Sequence, residues 1–445
     1  MPRPRTQAEY LARLVPPSVA ATRGGLPRRG FLKGALLGGA ALSVPGLLTA
    51  CGGEESGAAQ GPGVVTFGSN ESSGLFAEQR RAMAQDFERL SGSTVELNEV
   101  AHNTFQENIN SYLQGNPDDV FSWFAGYRMQ FFAEQGLIGD ISDIYPIEGI
   151  NEAFTEAATA PDGNQYFVPQ SYYPWAVFHR RSVFEENGYT QPTTLDELVA
   201  LCRQMQSDGL VPIAFADKDG WPAMGTFDAL NMRINGYDFH MALMRHEEPW
   251  DSAQVKEVFD VWRGLLPYHQ PDALGRTWQE AAQSLQQRES GMYLLGTFLN
   301  EQFPDDEEDL AFFTFPEIDP AIGADAIDAP IDGFCMAADP DNEEGAKDFL
   351  AYLASAEAAA AAATAGKPFI SANDGADTSS YSQLQKDSQA LVSSATNIAQ
   401  FLDRDTRPDF ASTVVIPALQ EFLANPDDVD GLTRSIEDQA ATIFV

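Results

Sequence analysis

The chain has 445 residues, 44% of them hydrophobic, which is more than a single core usually absorbs, so two lobes are expected. Its 65 Asp and Glu stand against 27 Lys and Arg, a formal net charge of −38. A surface so acidic repels phosphodiester backbones and anionic headgroups, which argues against nucleic acid or an acidic membrane surface as partners. Three cysteines and five scattered histidines show no metal-ligand or redox spacing, so neither a metal nor a cofactor is expected.

Near the start, Arg28 and Arg29 precede Gly30, Phe31, Leu32 and Lys33, the twin-arginine pattern of an export signal. The Ala, Leu, Gly and Val run that follows extends to Leu47. It is too short and too rich in glycine to span a bilayer, and it suits the apolar region of a signal peptide. It ends in Leu48, Thr49, Ala50 and Cys51, which resembles a lipobox, and that resemblance implies cleavage before a diacylated Cys51. Residues 1–50 are therefore expected to be a twin-arginine lipoprotein signal peptide, and residues 51–63, small and polar, a flexible tether. Two acyl chains anchor a protein firmly. The expected location is the extracellular face of the cytoplasmic membrane, with the lipid on Cys51 as the sole membrane contact.

Beyond the tether, residues 64–67 read as a first strand and residues 76–90 as a helix, with Phe76, Met83, Phe87 and Leu90 at helical spacing. Residues 94–100 alternate as a strand, 105–113 return to helical spacing, 120–124 form the next strand, and 130–135 a helix stopped by Gly136. A second unit begins near Trp175, with a strand at 176–178 and a helix from Ser182 to Gly188. A further helix carries Leu195, Leu198, Leu201 and Met205 on one face, before a strand at 211–216. Strands are expected at 292–295, 311–315 and 334–337, one alanine-rich helix at 343–364, and helices from Tyr381 onward. Strand and helix alternate with short connections, the pattern of parallel sheets covered by helices. The acidic run at 305–309 reads as a solvated loop. Cys202 and Cys335 read as buried, unpaired thiols acting as small hydrophobes.

Several segments together resemble the extracellular solute-binding proteins of sugar-importing ABC transporters, the family that includes maltodextrin-binding proteins. They are PDDVFSWFAGYR (117–128) with FFAEQGLIGDIS (131–142), QYFVPQSYYPWAVFHRRSVFEENGY (165–189) with PTTLDELV (192–199), GMYLLGTF (291–298), and APIDGFCMAAD (329–339) ahead of AKDFLAYL. The resemblance spreads over most of residues 64–445. It implies a two-lobed α/β periplasmic-binding-protein-like fold of type II, hinged, with the ligand cleft between lobes. The expected boundaries are residues 62–172 with 318–370 for one lobe, and 173–317 with 371–445 for the other. It also implies a monomer without enzymatic activity that binds a carbohydrate, an oligosaccharide on this reading, and hands it to the permease subunits of an ABC importer.

A sugar offers fixed hydroxyls and an apolar face, so its site needs flat aromatics and planar polar groups. Trp221, in a glycine-proline turn, is the first candidate, followed by Trp123 at a strand end, where open α/β sheets place ligands. Trp175 and Tyr173 stand at the expected crossover, and Trp278 follows Gly275 toward the cleft. Trp262 reads as core. Polar candidates are Asn70 and Glu71 after the first strand, Arg128 in a strand-end turn, Thr297 after Gly296, Asp332 and Gly333 in the second crossover, and Arg404 and Asp405 in FLDRDTRPDF (401–410). Gly333 is expected to let backbone approach the ligand. Two departures separate the chain from maltodextrin binders: Phe298 where a tryptophan often stands, and Tyr127 where an acid often precedes the arginine. The competing readings are a secreted glycoside-active enzyme, for which no framed acid pair is visible, and the same fold binding a non-sugar solute. An anionic solute would call for clustered cations, and only twenty Lys and Arg follow residue 50.

Overall fold

The computed structural model describes residues 63–444 except Asp325 and Pro368. The signal-peptide and lipid-anchor expectations, Cys51 included, lie outside the described residues. In chain order the strands are β1 (Val64–Ser69), β2 (Thr94–Glu99), β3 (Val120–Phe124), β4 (Val168–Tyr172), β5 (Trp175–Arg180), β6 (Val211–Ala214), β7 (Ser290–Gly296), β8 (Leu310–Phe313), β9 (Ala326–Asp328), β10 (Ile331–Met336) and β11 (Asn397–Ala399). They form a five-stranded sheet in the order β2-β1-β3-β10-β4, a four-stranded sheet β6-β7-β5-β8, and a two-stranded pair β11-β9.

Local sequence explains the first sheet. Every residue of β3 is buried, as expected for a central strand covered on both faces, whereas β2 at the edge alternates between exposed and half-buried. The helix Gly74–Ser91 buries Ala77, Arg80, Met83, Ala84 and Phe87 at helical spacing, and Gly92 in the left-handed conformation closes it with an N–H to Glu88 O. Phe67 packs edge-on against Phe334 of β10 and Phe349 of the helix Glu343–Leu353, at centroid distances of 5.6 and 5.3 Å. Three elements distant in sequence thereby close one core.

The second sheet sits in a larger apolar core. Trp262 is fully buried there, as expected, and Trp250 joins it, stacked on Phe227 at 5.4 Å. Cys202 and Cys335 are buried free thiols, and burial pushes the Cys202 thiol up to about 12.

Three expectations need correction. The sheets are mixed rather than parallel: β10 runs antiparallel to β3 and β4, and β5 antiparallel to β7 and β8. The reason is topological, since β10 and β5 each enter their sheet from the other one and so run away from the gap between them. The alanine-rich segment is two helices, Glu343–Leu353 and Ala356–Ala363, because the Ser355 side chain accepts the Ala358 N–H and starts a new helix. The acidic run is more than a solvated loop. Asp309 and Asp306 hold the buried Arg180 at 2.8 and 2.5 Å, and Asp309 also accepts the Ser182 N–H.

The chain passes between the two large sheets at Tyr173–Pro174, at Ala329–Pro330 beyond β9, and at Gln400–Phe401 beyond β11. The last two passages are tied, Ala329 N–H to Ala399 O at 2.9 Å and Ile331 N–H to Gln400 Oε1 at 3.1 Å. Among the described residues no helix is long and apolar enough to cross a membrane.

Candidate functional site

A cavity of about 660 Å³ lies between the two large sheets. One wall comes from the loop after β1, the end of β3, the start of β10 and the end of β4. The other comes from the turn before the helix Pro222–Asn235, the turn after β7, and the start of the helix Trp278–Gln286. Both walls use strand ends, which is where α/β sheets leave backbone groups and side chains free to meet a ligand.

An aromatic cluster forms the second wall. Phe298 is ringed by Tyr173, Trp175, Trp221 and Trp278 at centroid distances of 5.3, 6.1, 6.0 and 5.2 Å, all edge-on. Trp221 and Trp278 keep part of their surface exposed. Trp221 is presented by a tight turn: Gly220 takes φ 80°, and Asp217 Oδ1 accepts the Ala223 N–H at 2.8 Å, fixing the helix start beside the indole. Burial pushes the Asp217 carboxyl up to about 7.

The first wall carries a charged network. Arg404 donates to Asp332 Oδ1 at 2.9 Å, to Tyr173 Oη at 3.2 Å and to the Ile331 carbonyl at 3.3 Å, with its guanidinium 4.1 Å over the Phe124 ring. Burial alone would lower the Arg404 pKa, but Tyr173, Asp332 and Asp403 together hold it above its ordinary value. Arg128 donates to Asp403 Oδ2 and Gln106 Oε1, both at 2.8 Å, and lies over Trp123 at 4.9 Å; burial lowers its pKa, with Asp403 opposing. Arg80 is bonded to Gln170 Oε1, and burial lowers it to about 10.

On the remaining rim, His102 Nδ1 lies 3.2 Å from Glu71 Oε1 and 3.4 Å from Asn70 Nδ2. Lys367 spans the gap between the sheets, with Nζ 2.6 Å from Glu307 Oε2 and donating to the Phe303 carbonyl at 3.0 Å.

The structure brings Asn70, Glu71, Trp123, Arg128, Tyr173, Trp175, Trp221, Thr297, Asp332, Gly333 and Arg404 to the cavity wall. Asp405 does not belong with them. Its carboxylate turns inward to accept the N–H groups of Gln400 and Phe401 at 2.7 and 3.2 Å, and burial pushes it up to about 7. Trp123 and Trp175, 1% and 6% exposed, support the wall rather than present a ring to a ligand. Trp123 is packed among Phe105, Phe124 and Phe132, and the Trp175 indole fills the space beside Gly225, where a Cβ would collide with it. The Gly333 expectation also changes: a Cβ there would strike the Val168 carbonyl and the Phe167 ring, so this glycine serves strand pairing at a β-bulge. The Thr297 hydroxyl lies 3.3 Å from Ser388 Oγ and 3.5 Å from the Pro174 carbonyl.

Sequence reasoning missed Glu301, Lys367, His102, Arg80 and Gln170. Glu301 had a usable signal, since it lies in the turn that follows β7. Lys367 had none, because it reaches the cavity only through the packing of its chain segment beside β4. Among the described residues no group of three His, Cys, Asp or Glu is placed to hold a metal ion.

The family model for bacterial extracellular solute-binding proteins matches residues 73–360. Among solved structures the chain resembles the bacterial solute receptor AcbH, at 44% identity with a TM-score of 0.84 over 86% of this chain and 100% of that one. That receptor is described as having an exclusive substrate preference for β-D-galactopyranose. A chitin oligosaccharide binding protein shares the fold at 21% identity and a TM-score of 0.75, over 84% of this chain and 98% of that one. By sequence, the chain is 25% identical over 255 residues to the ABC transporter extracellular-binding protein PH1214 of Pyrococcus horikoshii, covering 55% of this chain and 56% of that protein. It is 24% identical over 185 residues to a probable sugar-binding periplasmic protein of Rhizobium meliloti, covering 40% and 44%. The chain spans about half the length of the curated relatives it matches.

Proposed function

The chain belongs to the bacterial extracellular solute-binding proteins, and we propose that it is a receptor that captures a neutral sugar between its lobes and delivers it to the permease of an ABC importer. The observation that carries this reading is the composition of the cavity. An aromatic wall with half-buried Trp221 and Trp278 faces a wall of carboxylates, amides and arginines, in which Arg128 is paired with Asp403 and Arg404 with Asp332. Flat apolar faces opposite paired hydrogen-bonding groups suit the two sides of a pyranose ring.

The 44% identical relative narrows the ligand. Its stated preference for a monosaccharide makes a single pyranose, with galactose first, the better candidate than the oligosaccharide that the sequence suggested. Anchoring through Cys51 belongs to the same proposal: a lipid tether would keep the receptor near its permease and raise its effective concentration there. The lobe boundary near residue 172 is likewise proposed, with the other two at the passages near residues 329 and 400 in place of those expected near 317 and 370, in keeping with the separate apolar cores of the two large sheets.

Thermal-shift screening with D-galactose, D-glucose, D-xylose, raffinose, amino acids and dipeptides tests the reading, because a ligand bound only by the native state raises the melting temperature. A neutral sugar is expected to raise it, and Trp221→Ala is expected to weaken that sugar's binding roughly tenfold or more through lost ring contact. A shift produced only by amino acids or peptides refutes the sugar assignment. Release of new sugar products would replace the receptor by a glycoside-active enzyme.

A further inference from the structure

The turn after β7, Thr297–Gln302, places the Glu301 carboxyl in the cavity wall with its Oε1 unpartnered. Glu301 is partly buried, and its Oε1 is shielded from water and accepts nothing. Glu71, in the loop after β1, stands on the other side of the gap, close enough for its charge to act on Glu301. The nearby cation, Lys367, is already engaged by Glu307 and the Phe303 carbonyl. Behind Glu71 stand His102, 3.2 Å from its Oε1, and Arg80, which is bonded to Gln170.

We propose that Glu301 is a specificity-determining residue of the cleft: set against Glu71 across the gap, it accepts and donates to the hydroxyls of a neutral sugar and turns sugar acids away. The inference rests on the sugar-binding reading above.

Two carboxyls lining one cavity, near enough for the charge of one to act on the other, cannot both ionise cheaply. Burial first, and then the charge of Glu71, push the Glu301 carboxyl up to about 8, with Lys367 opposing. At neutral pH Glu301 therefore keeps its proton and offers both a donor and an acceptor, which matches a sugar hydroxyl. A uronate would bring its carboxylate into the space that Glu71 lines, where Arg128, Arg404 and Lys367 are already paired with carboxylates. The sign of the pH effect follows from linkage. In the ligand-free cleft Glu301 already holds its proton up to about pH 8, and a sugar oxygen that accepts from its O–H binds only the protonated form. Affinity is then full well below pH 8 and is lost progressively as pH rises through about 8.

The test is titration calorimetry on wild type, Glu301→Gln and Glu71→Gln between pH 5 and 9, with D-galactose, D-glucose, D-galacturonate and D-glucuronate as probes. Wild type should lose affinity for its neutral sugar by about fivefold or more across that range, and should bind the matching uronate at least about tenfold more weakly. Glu301→Gln, fixed in the neutral form, should flatten the pH profile and narrow the uronate gap at pH 9, where the wild-type carboxyl is ionised. Glu71→Gln should do the same in part by removing the facing charge, and it carries the test if Glu301→Gln fails to fold. Parallel pH profiles and an unchanged uronate gap in the folded variants overturn the role of Glu301 while leaving the sugar reading intact. Failure of wild type to bind any neutral sugar overturns both.

Discussion

Arg404 is a residue whose loss the structure makes costly. It follows the last passage between the sheets, and it fastens that segment to β10 through Asp332 Oδ1 (2.9 Å) and the Ile331 carbonyl (3.3 Å), and to the first passage through Tyr173 Oη (3.2 Å). Arg404→Met would keep much of the side-chain volume and remove the charge. Asp332, with 28% of its side-chain surface exposed, would then lose its cation, while Asp403 would keep Arg128. Breaking a buried pair by removing one partner costs about 3–5 kcal/mol, and the partial exposure of Asp332 puts the expectation at the lower end. Loss of the contact over Phe124 (4.1 Å) adds about 0.5–1 kcal/mol. Arg404→Lys keeps the charge but cannot serve three acceptors in the same geometry, and should cost about half as much. Urea unfolding without sugar measures both, with midpoints compared at equal slope. An Arg404→Met variant within about 1 kcal/mol of wild type, or a lysine variant as damaged as the methionine one, would refute the reasoning.

Two further perturbations probe the joint and the aromatic wall. The Asp405 carboxyl, pushed up to about 7 chiefly by burial, binds its proton more tightly in the folded than in the unfolded chain. Its contribution is therefore full below about pH 4 and is lost as pH rises toward 7, by up to roughly 1.4 kcal/mol per unit. Asp405→Asn keeps an oxygen for the Gln400 and Phe401 N–H groups, so denaturation at pH 5 and pH 8 should show it gaining on wild type at the higher pH; parallel behaviour of the two proteins would discard the idea. Gly225→Ala would drive a methyl into the Trp175 indole and should destabilise by about 1–3 kcal/mol, with altered tryptophan emission; a neutral result would mean that the indole can shift without cost.

The parts of the fold legible in the sequence were those governed by local periodicity. Residues 120–124 are β3 to the residue, because a bulky apolar run broken only by Ser122 and flanked by Asp119 and Gly126 has few other uses. Strand direction was not legible. β10 and β5 look like any other apolar strand, and what makes them antiparallel is their entry from the opposite sheet. β9 and β11 escaped notice, since three-residue strands carry too little pattern to register. The site divided along similar lines. Trp221 could be found because its Gly-Trp-Pro setting excludes a packed helix interior. The misassignment of Asp405 beside Arg404 arose because adjacent residues in a short helix face different ways, and sequence does not say which way each points.

The same division bears on why so acidic a chain could hold the neutral ligand proposed for it. Net charge describes the surface field, whereas a ligand between the sheets meets only local groups. There three cations are paired within the fold, Arg128 with Asp403, Arg404 with Asp332 and Lys367 with Glu307, while Arg80 is bonded to an amide. Each pairing also fixes the planar groups that must present hydrogen bonds in set directions. Arg404 orients Asp332, and Arg128 orients both Asp403 and Gln106. On the proposed reading the cations act as scaffolding for neutral recognition, and a variant that frees one of them, such as Asp332→Asn, should raise affinity for sugar acids while lowering it for the neutral sugar. Equal losses for both ligands would instead mean that Asp332 only holds the fold.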